Sequence, residues 1–147
     1  MFGIKLEKER SRIIVAGCGR LGASIASMLS VKGSEVVLID SNTQAFRKVS
    51  SDFSGFTVGA DATDIDVLTD LGIDRAGMMV AVTSDDNVNI MIAQIAKVIF
   101  DVPLVIMRLY DTEKAVLSED AGIQTISPYT LSMDAFERLC MTGDKKD

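Results

Sequence analysis

Short β-branched runs alternate with longer amphipathic stretches from residue 12 to residue 141. The runs predict six strands, at 12–16, 35–40, 55–58, 78–83, 104–109 and 124–127. Turn residues bound each run and a helical pattern separates it from the next, as a parallel sheet requires. Leu21, Ile25, Met28 and Leu29 follow the i, i+4, i+7, i+8 spacing and predict the buried stripe of a first helix, with Gly33 placed to cap it. Thr63 is expected to cap a further helix whose first turn carries Asp64 and Asp66. Beyond Thr83, the residues Val88, Met91, Ile92, Ile95, Ala96 and Ile99 predict one continuous apolar face. Ser84 or Asp85 can cap that helix, and Pro103 stops anything that runs on. Asp111 or Thr112 opens another helix, closed by Gly122, and a last one spans about Thr130 to Met141. The fold class that follows is α/β: a doubly wound parallel Rossmann sheet of six strands, helices on both faces, in the order 3-2-1-4-5-6. Residues 1–11 read as an N-terminal extension, 12–141 as the domain and 142–147 as a solvated tail.

Composition narrows the function classes. A chain of 147 residues is one domain, able to bury about two-thirds of its unfolded surface. The net charge of −6 argues against a general nucleic-acid binder and against docking on an anionic membrane. The longest apolar stretch, Ile90 to Phe100, is interrupted by Gln94 and Lys97 and is too short to span a bilayer. The first ten residues lack a signal-peptide core, so the expected location is cytoplasmic. Two cysteines do not suggest a disulfide framework, and the lack of histidine removes the commonest general base and metal ligand. No metal site is expected. The eight methionines are expected mostly at core-facing positions, as gap-filling side chains.

The chemistry concentrates where the first run enters Gly17-Cys18-Gly19-Arg20-Leu21-Gly22. Strand, glycine turn, helix, second strand and terminal acid together form a dinucleotide-binding fingerprint. Gly17 is expected to make the tight turn, Gly19 to admit a pyrophosphate against the backbone, and Gly22 to let the helix pack on the sheet. The helix N-terminus then presents free N–H groups and a positive dipole end to phosphate. Asp40 lies 18 residues past Gly22, where a carboxylate accepts from ribose hydroxyls. It argues against a 2′-phosphate. Asp40 and Ser41 also compete to cap the next helix. Arg20 at a helix start costs about 0.3–1 kcal/mol unless an anion is near, which favours a ligand-binding role. Arg108, in an otherwise apolar strand, suits either a ligand anion or an ion pair with an acid. Cys18 sits where amides can activate a thiol, although a small loop-filling side chain is the simpler reading. Tyr110 and Lys114 have short-chain dehydrogenase spacing, but Tyr110 ends a strand here instead of lying in a long helix. Asp85 and Asp86 are read as helix-capping acids.

Further along come Gly59-Ala60-Asp61-Ala62-Thr63-Asp64, Leu71-Gly-Ile, Val80-Ala-Val-Thr83, Asp86-Asn-Val-Asn89-Ile, Val105-Ile-Met-Arg108 and Thr125-Ile-Ser-Pro128. In this order the segments resemble the TrkA N-terminal (RCK or KTN) domain of potassium-uptake regulators, over roughly Arg12 to Leu139. The resemblance implies a non-enzymatic cytoplasmic regulatory subunit, peripheral to the inner face of the plasma membrane, that binds an adenine nucleotide (NAD(H), ATP, ADP or AMP). It implies partners: a membrane potassium-transporter subunit that the lobe gates, and further lobes in a homo-oligomer or ring. It places phosphates on the amides from Gly17 through Cys18, Gly19, Arg20 and Leu21 to Gly22. Asp40, with Ser41, holds the ribose, and Asp61 and Ala62, with Thr63, line the adenine pocket. Thr83 faces the ligand, and Arg20 and Arg108 reach outer phosphates, one of them sometimes across a subunit interface. The final helix contacts a neighbouring lobe. Two departures stand out. Ala60 replaces a usual glycine, and the chain stops at Asp147, where members usually continue into a C-terminal lobe. Either the sequence is part of a longer chain, or this subunit lacks that lobe and a companion RCK subunit carrying it is expected. The alternative is an NAD-dependent oxidoreductase or its cofactor-binding domain, for which no substrate-binding half is present.

Overall fold

The computed structural model describes residues 9–142. Six parallel strands form one sheet in the order β3-β2-β1-β4-β5-β6. They are β1 (Arg12–Ala16), β2 (Glu35–Asp40), β3 (Phe56–Gly59), β4 (Ala76–Ala81), β5 (Leu104–Arg108) and β6 (Gln124–Ile126). The expected α/β doubly wound sheet and its order are found. Three α-helices join strands, α1 (Arg20–Val31), α2 (Ile65–Asp70) and α3 (Asp86–Gln94), and α4 (Pro128–Met141) follows β6. 3₁₀ segments occupy Thr43–Lys48, Ile73–Arg75 and Thr112–Ala121. One apolar layer sets Ala23, Ala26 and Leu29 of α1 against Ile13, Val15, Val36, Leu38, Met78 and Val80. The opposite layer sets Leu68, Ile92, Ile95 and Ala96 against Ile14, Ile39, Met79, Val105 and Met107. Central strands covered on both faces read as continuous apolar runs, which is why β1 and β2 were legible to the residue.

Several local expectations need correction. The buried face of α1 is Gly22, Ala23, Ala26, Leu29 and Ser30, whereas Leu21 and Ile25 are half-buried and Met28 is exposed. Small residues let the helix approach the sheet, and the larger ones fall on its flank. Gly33, at φ +90°, does terminate α1: its N–H and that of Ser34 donate back to Ser30 O and Leu29 O. The cap of α2 is Asp64, not Thr63. Asp64 Oδ1 accepts from Asp66 N and Val67 N, while Thr63 is held by Asp61. Asp85 caps α3, but the apolar face beyond it breaks at a π turn over Ile95–Ile99. The extra residue in that turn rotates Ile99 to the surface, and Met91 is also exposed. β4 begins two residues earlier than predicted and leaves Val82 and Thr83 beyond its carboxyl end. β3 lies one residue later, and β5 and β6 each end one residue earlier. Met78, Met79 and Met107 are buried, but Met28, Met91, Met133 and Met141 are exposed, so the methionines divide between core and surface. Met1 lies outside the described residues.

The extension ends in an anchored residue: Arg10 Nη1 donates to Asp101 O at 2.8 Å. Residues 1–8 and 143–147, and with them most of the extension and tail, lie outside the described residues. Among the described residues no helix is long and apolar enough to cross a membrane.

Candidate functional site

Where strand order reverses, at β1 and β4, a parallel sheet opens a crevice at the carboxyl ends of its strands. A cleft of about 660 Å³ occupies that position, within the roughly 300–1,000 Å³ typical of small-molecule sites. Its walls come from the ends of five of the six strands: Gly17–Gly19 after β1, Asp40–Asn42 from β2, Ala60–Thr63 after β3, Val82–Asp85 after β4 and Arg108 from β5.

The glycines divide their work as expected. Gly17 has φ +105°, and a Cβ there would meet Thr83 N and Val82 O at 2.7 Å, so the turn tolerates no side chain. A Cβ on Gly19 would meet nothing within 4 Å, leaving open space against the backbone. A Cβ on Gly22 would collide with Gly17 O, so α1 can start beneath the loop only with glycine there. Gly19 is the N-cap of α1 and supplies no side-chain hydrogen bond, and no acid stands in the first turn. The first amides of this twelve-residue helix are therefore free to meet an anion.

Asp40 joins the loop to the end of β2. Its Oδ2 accepts from Cys18 N and its Oδ1 from Asn42 N, both at 2.8 Å. Each oxygen keeps a further lone pair for a donor in the cleft. The next segment is capped by Asn42, whose Oδ1 accepts from Gln44 N, so neither Asp40 nor Ser41 is the cap. Asp61 accepts from Thr63 Oγ1 at 2.7 Å and Thr63 N at 2.9 Å, and these bonds hold its carboxyl below the ordinary aspartate range. Arg108 Nη2 donates to Val82 O and Thr83 O, and its guanidinium lies 5.0 Å from the Tyr110 ring centroid. Its partners are carbonyls instead of an acid. Among the described residues its Nε is buried without a partner, an orphaned donor beside the cleft.

Of the residues read from the sequence, Gly17, Cys18, Gly19, Asp40, Ser41, Asp61, Ala62, Thr63, Thr83 and Arg108 line this one cleft. Arg20, Leu21 and Gly22 do not. Arg20 is exposed at the first position of α1, and Leu21 and Gly22 sit within that first turn. Lys48 brings a second cation to the cleft, and Asn42, Ala45 and Val88 also line it, none of them marked as ligand-facing by the sequence pattern. A lysine at the end of a 3₁₀ segment carries no periodic or motif signal.

Cys18 is fully buried and its Sγ donates to Ala45 O at 3.2 Å. Burial, and then the Asp40 charge, push its thiol above the ordinary value, against a smaller opposing pull from Lys48. The helix-terminus activation allowed by sequence is therefore outweighed. At neutral pH a maleimide should label exposed Cys140 and leave Cys18 unmodified, which peptide mass mapping would check. The thiol should become a nucleophile only at a pH above that of a free cysteine.

The dehydrogenase-like spacing dissolves in three dimensions. Tyr110 and Asp111 donate backbone N–H groups to Asp86, and Lys114 Nζ donates to Asn87 Oδ1. The pair lies in a turn and a 3₁₀ segment, not a long helix.

Comparison with known proteins bears on this geometry. The family model for the TrkA-N domain matches residues 13–128. The Trk system potassium uptake protein TrkA of Streptomyces coelicolor is 36% identical over 126 residues, which are 86% of this chain and 56% of that protein. The chain thus spans about half the length of such relatives. Among solved structures, the GsuK RCK domain aligns with a TM-score of 0.77 at 23% identity, over 97% of this chain and 30% of that one. GsuK is also known bound to NAD and to ADP. The Kef CTD of Shewanella denitrificans, in an AMP-bound form, aligns with a TM-score of 0.70 at 20% identity, over 91% and 83% of the two chains. A glycine turn, an acid at the end of β2 and a matching family model over most of the length lead to one conclusion: this chain belongs to the TrkA-N domain family.

Proposed function

We propose that this chain is a nucleotide-binding regulatory domain of a potassium-uptake system, in which an adenine nucleotide in the glycine-loop cleft biases how lobes pack together. The observation that carries the reading is Asp40 bonded to the Cys18 amide, which puts a ribose-seeking carboxylate beside free helix-terminal amides. Phosphates would lie over the glycine loop on the free first-turn amides of α1, the ribose on Asp40 and Ser41, and the adenine against Asp61, Ala62 and Thr63. Outer phosphates would meet Thr83, Arg108 and Lys48. Arg20 would serve a nucleotide only from outside this cleft, at a distal phosphate or in a neighbouring subunit's site. The nucleotides held by GsuK and the Kef CTD support the ligand class, and the Streptomyces relative supports a membrane potassium-transport subunit as partner. The role needs no chemistry and would place the lobe at the cytoplasmic face.

Signalling then requires two packings with different nucleotide affinities, because a ligand that binds both equally shifts neither. Two surfaces suit such packing. None of the fourteen residues of α4 is buried, and it exposes Tyr129, Leu131, Phe136, Leu139 and Met141. On the α1 side of the sheet, β5 leaves Leu104 and Ile106 only half-buried, although parallel strands are normally covered on both faces. Light scattering should find an assembly larger than a monomer, with a mass distribution that differs between saturating ATP and ADP. Phe136→Asp should dissociate it, since a charge buried in an apolar interface costs several kcal/mol. A monomer under every condition, or identical profiles with both nucleotides, would defeat the switching account.

A further inference from the structure

Asn89 is fully buried on α3, does not line the cleft, and makes every hydrogen bond that a carboxamide can make. Its Oδ1 accepts from Thr83 N at 2.8 Å and Thr83 Oγ1 at 2.6 Å. Its Nδ2 donates to Thr83 O at 3.0 Å and Arg108 O at 2.9 Å. Thr83 O accepts in turn from Arg108 Nη2. One side chain therefore ties the chain after β4 to the end of β5 at two residues of that wall, Thr83 and Arg108. Nothing else in the cleft has this arrangement: the opposite wall is held by Asp40 through backbone amides, independently of Asn89.

We infer that Asn89 is a positioning residue that sets Thr83 and Arg108 for the outer part of the nucleotide, and so determines how the site discriminates by phosphate count. The inference rests on the proposed placement of the ligand, with ribose at Asp40 and outer phosphates at Arg108. The physical reason is the closed network. A buried polar group with all partners satisfied fixes one geometry, whereas a half-satisfied one leaves carbonyls and amides to find new partners. Arg108 already carries a buried, unpaired Nε, so its orientation depends heavily on the bonds that remain.

Asn89→Asp tests this, because it keeps the size and the accepting oxygen but turns the two donor contacts into a carboxylate facing Thr83 O and Arg108 O. Calorimetry on nucleotide-free protein should show ATP affinity reduced about tenfold and AMP affinity within about twofold of the parent. Lowering the pH should restore part of the ATP affinity in the variant relative to the parent, since a protonated carboxyl donates one of the missing bonds. A purely structural role would lower both nucleotides together and show no such recovery, which would overturn the inference, as would unchanged ATP binding. If the parent protein binds neither nucleotide, the proposed function fails instead. Should the variant not fold, the side-chain amide resonance of Asn89 in the parent takes its place. A shift with ATP but not with AMP supports the assignment, and no shift with either overturns it.

Discussion

Asp40→Ala is expected to weaken adenine-nucleotide binding about a hundredfold, the largest single effect on the ligand. Two charge-assisted bonds to ribose hydroxyls, each worth about 1.5–3 kcal/mol, would disappear, so about a hundredfold is the lower end of the loss. The same carboxylate orders the apo site, because Oδ2 holds Cys18 N and Oδ1 holds Asn42 N. Cys18 is fully buried, so losing that acceptor also strands an amide beneath the glycine loop, at a cost of about 1–3 kcal/mol. Asp40→Asn should fall between parent and alanine, since it keeps one accepting oxygen without the charge. Calorimetry gives the affinities and thermal melting reports the stability. Nucleotide affinity within about threefold of the parent would remove Asp40 from the binding set.

Gly22→Ala is expected to have the largest effect on the fold. Its Cβ would collide with Gly17 O and approach Val82 Cγ2 at 3.2 Å. The obstacle is backbone, which cannot rotate away, so either α1 shifts along its axis or the glycine turn opens. Overpacking of this kind costs about 1–3 kcal/mol or more. Gly17 cannot yield easily, because its own N–H donates to Ile39 O and its φ is already positive. Thermal melting should drop by several degrees and nucleotide affinity should fall with it, because the first-turn amides move together with the helix. An unchanged melting temperature would mean that the loop and α1 are far more deformable than this packing implies. Gly19→Ala is the internal contrast. With no atom within 4 Å of its Cβ, it should fold normally and hinder only the ligand.

The sheet was legible because its physics is written in residue type. β1 and β2 are apolar on consecutive positions, and β2 ends at an acid that caps nothing. The glycine spacing likewise announced its use, since Gly17 and Gly22 leave no room for a side chain. What failed depends on distance. Helical spacing marks the largest residues of α1 as its buried stripe, but close approach to the sheet selects Gly22, Ala23 and Ala26 instead. The run of Asp61, Thr63 and Asp64 offers three capping side chains in four positions. Only the folded geometry decides that Asp61 takes Thr63 and leaves Asp64 to cap α2. The π turn at Ile95–Ile99 has no period to reveal it. Lys48 enters the cleft by tertiary placement alone, and nothing in the Asp86–Ile90 motif signals that Asn89 binds two strand ends at once.

The most direct measurement is calorimetric titration of nucleotide-freed protein with ATP, ADP, AMP, NAD and NADH, alongside Asp40→Ala. The account predicts one adenine nucleotide bound per chain, an affinity that changes with the number of phosphates reaching Arg108 and Lys48, and loss of binding in the variant. No binding of any adenine nucleotide to folded parent protein would contradict it.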